Sequence, residues 1–148
     1  LDKLAGFLPQ DKFIYLESQF NTYKTPSQID SLKRKGVYPY SYMDSFDKFG
    51  EGKLPAKEFW KNTLAGGEVT VSDQDLQHAS LVYQEFDCKT LGCYHDLYLH
   101  TDVLILASVF EEFRKVCYAT YGLDCAHFYT ASNLSGEAFL KVCNANIE

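Results

Sequence analysis

The sequence predicts a mainly helical chain with room for one or two short strands. Two segments carry the chemistry of a helix start, at Thr25 and Ser72. One long run, about 95–121, keeps an apolar helical period until Gly122 stops it. No internal repeat and no linker interrupts the chain. Its 148 residues are about one domain's worth and can bury a core.

The elements follow in order. Residues 1–8, "LDKLAGFL", form a short amphipathic stretch closed by Pro9. Residues 13–20, "FIYLESQF", mix aromatic and polar types and read equally as strand or helix. In "TPSQIDSLKRKG", Thr25 is the N-cap, Pro26 sits at N1, Gln28 completes a capping box and Gly36 is the stop. "VYPYSYMDSFDKF" has no helical period and reads as an extended, packed loop. "LPAKEFWKNTLAGG" reads as a helix begun near Pro55 and stopped by Gly66-Gly67. The next helix follows Ser72, with acidic residues in its first turn and an apolar period through Leu76, Ala79, Val82, Tyr83 and Phe86. A final helix runs from about Ser135 to Cys143.

Composition bounds the function. The chain is 46% apolar and 23% charged, as globular domains are, and its net charge of −6 argues against a uniformly basic nucleic-acid binder. A basic groove inside a larger acidic protein stays open. Five cysteines, an odd number scattered over unlike elements, read as reduced thiols of an intracellular protein. No apolar run reaches the ~18–20 residues of a membrane span, so no membrane partner is expected. The chain starts at Leu1, not Met, and ends at Glu148 just after a helical pattern. It reads as a piece of something longer, with no compartment distinguished among nucleus, organelle and viral factory.

The long helix poses the chemical question. At ~100° per residue, Tyr98, Leu99, Val103, Ile105, Leu106, Val109, Phe110, Phe113, Val116 and Cys117 fall on one side. Thr101, His100, Glu111, Glu112, Arg114 and Lys115 fall on the other side or at its margin. Asp102 lies inside the apolar arc, with Tyr98 one turn before it. A buried carboxylate needs a cation, hydrogen-bond donors or a raised pKa. A divalent metal beside the Tyr98 hydroxyl meets that need, and so does a polar rim or a backbone N–H. The spacing alone is uninformative, because three Tyr-x-x-x-Asp pairs occur: Tyr40/Asp44, Tyr83/Asp87 and Tyr98/Asp102. Only the last is expected within a long helix with both groups turned inward.

Three strings carry a resemblance: "KGVYPYSYMDSFDKF" with "LPAKEFW", "CKTLGCYHDLYLHTDVLILASVFEEFR" and "YGLDCAHFYTASNLSGEAFLK". They resemble the protein-primed family B DNA polymerases, most closely the branch of mobile elements, viruses and linear plasmids. The resemblance covers essentially the whole chain. It implies an α/β fold class, with this chain as the mainly helical C-terminal part of a ribonuclease-H-like 3′–5′ exonuclease domain leading into the polymerase palm. Residues 1–121 would be the exonuclease part and residues 122–148 the incomplete connection toward the palm.

The resemblance also assigns roles. Tyr98 and Asp102 match the third exonuclease motif, in which the Asp holds a catalytic metal and the Tyr orients the attacking water. "KGVYPY" fits the family's lysine motif, giving Lys35 the transition-state charge and Tyr40 the single-stranded end. An ordinary basic helix C-terminus explains "KRKG" equally well. Leu1 to Leu4, "LDKL", looks like the remainder of a motif that contacts single-stranded DNA, which makes Leu1 a DNA contact.

The implied cofactors are Mg²⁺ or Mn²⁺, two ions about 4 Å apart in an all-oxygen site. The implied partners are a single-stranded DNA 3′ end, dNTPs and a terminal protein primer. The family's other metal carboxylates, an upstream Asp-x-Glu and a second Asp, find no match here, nor do its palm signatures. The chain alone is therefore expected to be inactive. The competing expectations are a decayed or domesticated non-catalytic fragment and a free-standing nuclease.

Lesser features remain, the first two with two readings each. Lys53, Lys57 and Lys61, at i, i+4 and i+8, make a basic stripe that tracks phosphates or simply meets solvent. Tyr38, Tyr40, Tyr42, Phe46 and Phe49 stack on splayed bases or pack a loop. Cys88, Cys93 and His95 with Cys125 and His127 fit no standard zinc spacing. Gly136 stands where the family has a bulky aromatic and weakens the last helix by about 1 kcal/mol relative to alanine.

Overall fold

The computed structural model describes residues 1–21, 24–62 and 69–144. Six helices and one minimal hairpin make up the described fold: α1 Asp2–Phe7, α2 Ile14–Phe20, α3 Pro26–Leu32, β1 Lys61–Asn62, β2 Val69–Thr70, α4 Asp73–Glu85, α5 Leu91–Tyr121 and α6 Ala131–Cys143. Short 3₁₀ turns lie at Gln10–Lys12, Phe46–Gly50, Lys57–Phe59 and Cys125–His127. The chain is mostly helical, as its periodicity predicts. Its only described strands are two residues each, paired antiparallel with Lys61 opposite Thr70. A ribonuclease-H-like sheet is not among the described residues.

The caps form as read. The Thr25 side chain accepts from the Gln28 N–H, and the Gln28 side chain reaches back to the Thr25 N–H at 3.0 Å. Ser72 caps α4 by accepting from the Asp75 N–H at 3.2 Å. Gly122 ends α5 at φ 64°, a left-handed conformation that glycine adopts at no steric cost. Residues 14–20, read as either strand or helix, are helix α2.

Two helix readings need correction. α3 stops at Leu32, with Lys33 as C-cap, so Gly36 is not its stop. The chain instead turns extended there to run along α5. The expected helix from Pro55 is a 3₁₀ turn followed by β1. Trp60 decides this. It is 1% exposed and its indole N–H donates to the Pro55 carbonyl at 2.8 Å, which curls the backbone back on itself. The stop at Gly66-Gly67 lies outside the described residues.

α5 is the spine, 31 residues and so about 46 Å long. It starts four residues earlier than read, because the Thr90 hydroxyl caps it by accepting from the Cys93 N–H. α1, α2 and the Phe46–Gly50 turn pack along it, α3 packs on α2 and α4, and α6 packs on its far end. The main core joins Phe13 and Leu16 to Ile29, Leu32, Trp60, Val82, Tyr94 and Ile105. A small second cluster of Cys117, Cys125 and Leu134 ties α6 to α5.

The inward face of α5 is only in part the one the apolar count selects: Ile105 and Cys117 are buried as expected, but most of that side is not. The buried stripe is Leu91, Tyr94, Thr101, Ile105, Ser108 and Cys117. Leu99, Val103, Leu106, Phe110, Phe113 and Val116, expected inside, are 45–58% exposed. Packing selects the stripe that includes small polar residues. The Ser108 hydroxyl satisfies itself on the Leu104 carbonyl at 2.9 Å, so a serine is acceptable beneath another element. No described helix is long and apolar enough to cross a membrane.

Candidate functional site

Asp102 sits on α5 at the boundary between the buried stripe and the exposed apolar one. It is half-buried, and its Oδ1 is shielded without a hydrogen-bond partner among the described residues. Such an oxygen costs free energy unless a donor or cation meets it. Tyr98, one turn earlier, is also half-buried. Burial holds its hydroxyl well above the ordinary tyrosine pKa, assisted by the Tyr40 hydroxyl and the charge on Asp102. Tyr98 therefore stays a protonated donor through the physiological range.

Residues 36–40 bring the rest of the site to Tyr98. The Tyr94 hydroxyl donates to the Val37 carbonyl at 2.7 Å and pins this segment to α5. The Tyr40 and Tyr98 hydroxyls lie 2.8 Å apart, and the Tyr38 and Tyr98 rings stack at 4.9 Å. A cavity of about 210 Å³ opens beside them, lined by Lys35, Tyr38, Tyr40, Asp75 and Tyr98. Lys35 is half-buried there. The basic run before it is partly spent on ion pairs. Lys33 meets Glu17 at 2.8 Å and Asp30 at 3.0 Å, and Arg34 pairs with Asp75.

Lys35, Tyr40 and Tyr98 thus come together across some sixty residues of sequence. The other expected contacts do not join them. Leu1 packs against the hydrophobic core and accepts from the Ala5 N–H at 2.8 Å. Lys53 and Lys57 are exposed but share no helix face, because no α-helix forms there. Lys57 pairs with Asp73 at 2.5 Å, and Lys61 begins β1. The three lysines therefore form no helical stripe. Of the loop aromatics, Tyr42 packs on Phe59 and bonds Glu51 at 2.6 Å, whereas Phe46 is 88% exposed.

The cysteines and histidines of the zinc reading do not gather at one point. Cys88 and Cys93 lie at the start of α5 and Cys125 just past its end, so the helix length separates them. Burial and the neighbouring Cys93 push the Cys88 thiol up to about 12, which keeps it protonated and unreactive. Among the described residues no group of three metal-ligating side chains occurs. The chemistry of Asp102 would suit one ligand of an oxygen-bound cation, and the described residues place no further such group beside it.

Sequence reading counted Tyr38 among the loop aromatics and His95 beside the cysteines, and linked neither to Tyr98. The Tyr38 hydroxyl and His95 Nδ1 are 2.7 Å apart. The available signal was positional: His95 precedes Tyr98 by one helical turn, and Tyr38 alternates with Tyr40. Comparisons of the chain with protein-family models, with curated proteins and with solved structures give no match.

Proposed function

We propose that Tyr98 and Asp102 belong to a metal-dependent nuclease that cleaves phosphodiesters at a single-stranded 3′ end. More particularly, the chain would be the later part of the exonuclease domain of a protein-primed family B DNA polymerase. The observation that carries this reading is the contact of Tyr40 with Tyr98 and the place of Lys35 in the cavity they share. Lys35 and Tyr40 of one motif line the same cavity as Tyr98 of the other; Asp102, one turn on, is not part of that lining.

In this reading Asp102 Oδ1 is a ligand of Mg²⁺ or Mn²⁺, bound with carboxylates outside the chain. The bound cation would supply a nucleophilic water and Lewis acidity at neutral pH. The Tyr98 hydroxyl, held protonated, donates toward that water and orients it. Lys35 brings positive charge to the phosphate, and Tyr40 offers a ring edge to the terminal nucleotide. The exposed stripe Leu99–Val103–Leu106–Phe110–Phe113 lies beside Asp102. An apolar surface of that extent suits packing against the rest of such a domain, which would deliver the missing ligands. Nucleotidyl transfer from dNTPs, and a terminal protein as primer, would belong to the palm.

A second reading, a non-catalytic remnant, draws on the lack, among the described residues, of any group of three or more His, Cys, Asp or Glu placed to hold a metal. Asp102→Ala in the intact polymerase separates the two. Loss of a metal ligand costs several kcal/mol of transition-state stabilisation, about 10³-fold or more in 3′-end hydrolysis. DNA synthesis on a primed template should stay near the parent level. Equal hydrolysis by parent and variant removes the nuclease reading.

A further inference from the structure

Tyr98 is held from two directions. One face of its ring lies on the ring of Tyr38, 4.9 Å between centroids and 27° from parallel. Its hydroxyl meets the Tyr40 hydroxyl at 2.8 Å. Tyr38 also presents an edge to Tyr40, with centroids 5.1 Å apart at 68°. Tyr38 is therefore the wedge that sets the angle between the other two rings. A stack alone fixes a separation and leaves sliding and in-plane rotation soft. A hydrogen bond at the far end of the wedge removes that freedom.

His95 supplies it. Its Nδ1 is 2.7 Å from the Tyr38 hydroxyl, and it stands on α5 three residues before Tyr98. The imidazole is itself covered by Phe49, with centroids 4.9 Å apart. Gly36 borders the same ring: a Cβ there would stand 3.4 Å from Tyr98, in ordinary van der Waals contact. The helix that carries Tyr98 thus also carries the residue that orients its clamp.

We infer that His95, acting through Tyr38, is a positioning residue for the Tyr98 hydroxyl. Neither side chain touches the reacting phosphate. Their role is to hold Tyr98 where its O–H is useful, and this rests on the nuclease reading of Tyr98 and Asp102.

Three variants separate bond from bulk. Tyr38→Phe keeps the stack and loses the bond. His95→Leu keeps volume and loses the bond. His95→Asn restores a polar atom near the position of Nδ1. In the intact polymerase, the first two should lower kcat for 3′-end hydrolysis about five- to tenfold, with KM for single-stranded DNA within about twofold. His95→Asn should recover most of the loss. In the 148-residue chain, labelled with ¹³Cε-tyrosine and assigned by Tyr98→Phe, the Tyr98 resonance should move in Tyr38→Phe and His95→Leu and return in His95→Asn. An unmoved Tyr98 resonance, or unaltered kcat where Asp102→Ala is inactive, overturns the inference and leaves the nuclease reading standing. Hydrolysis that survives Asp102→Ala overturns that reading instead, and the resonance still decides whether His95 orients Tyr98.

Discussion

Asp124 illustrates how much one side chain does just past α5. Its carboxylate takes two bonds from Arg114, at 2.5 and 2.9 Å, and also accepts from the Ala126 N–H at 3.0 Å. The guanidinium beside it holds the carboxyl far below its ordinary value of 3.8. A depressed folded pKa means that the unfolded chain binds the proton first. The stabilisation is complete above the unfolded value and is lost as pH falls through 3.8 toward the folded value. Asp124→Asn should therefore lower Tm at neutral pH, and the gap from the parent should close between about pH 5 and pH 2. Thermal unfolding across that range checks it; a constant gap means that the ion pair is not the cause. Arg114 and Asp124 both stand in the sequence, ten residues apart. Only the turn made by Gly122 lets them meet, so the pair could not be read beforehand.

Among the elements, those that begin and end on local chemistry were legible. Thr25, Gln28, Ser72 and Gly122 act within three or four residues, and the structure keeps each in its expected role. The segment from Pro55 was not legible, because a distant partner decides it. Trp60 packs edge-on to Tyr94 of α5, at 6.4 Å, and burying that indole outweighs local helix preference. α6 was legible in type but begins at Ala131, since Thr130 caps it by accepting from the Asn133 N–H at 3.1 Å. Gly136 sits inside it, exposed, with nothing within 4 Å of the place a Cβ would take. Gly136→Ala should stabilise the chain by about 0.5–1 kcal/mol, by helix propensity and reduced freedom of the unfolded state. A rise in the urea midpoint with unchanged slope is the expected result. A fall would mean that the glycine serves a contact beyond this chain.

At the scale of the molecule, α5 carries two apolar faces and buries one. Adjacent residues give the contrast. Ile105 is fully buried and Leu106 is 54% exposed. Ile105→Ala should cost about 2–5 kcal/mol through lost burial and a cavity. Leu106→Lys should change stability by under about 0.5 kcal/mol. On the proposed nuclease reading the order should reverse for hydrolysis by the whole protein, with Leu106→Lys more harmful than its effect on folding predicts. Denaturation of the chain and hydrolysis by the whole protein, measured on both variants, decide this. A large loss of stability from Leu106→Lys would show that the stripe is already packed.

The sequence by itself determined the helices whose ends are capped locally, the mostly helical class and the placement of Tyr98 and Asp102 one turn apart. Each depends on neighbours within a few residues, where spacing and side-chain chemistry act directly. Only the tertiary structure decided which face of α5 turns inward, that Tyr40 meets Tyr98 with Lys35 in the same cavity, and that His95 reaches Tyr38. Those outcomes depend on how extended backbone at 36–40 lies along a helix nearly sixty residues later. Burial and close packing choose between faces that hydrophobicity alone ranks the other way.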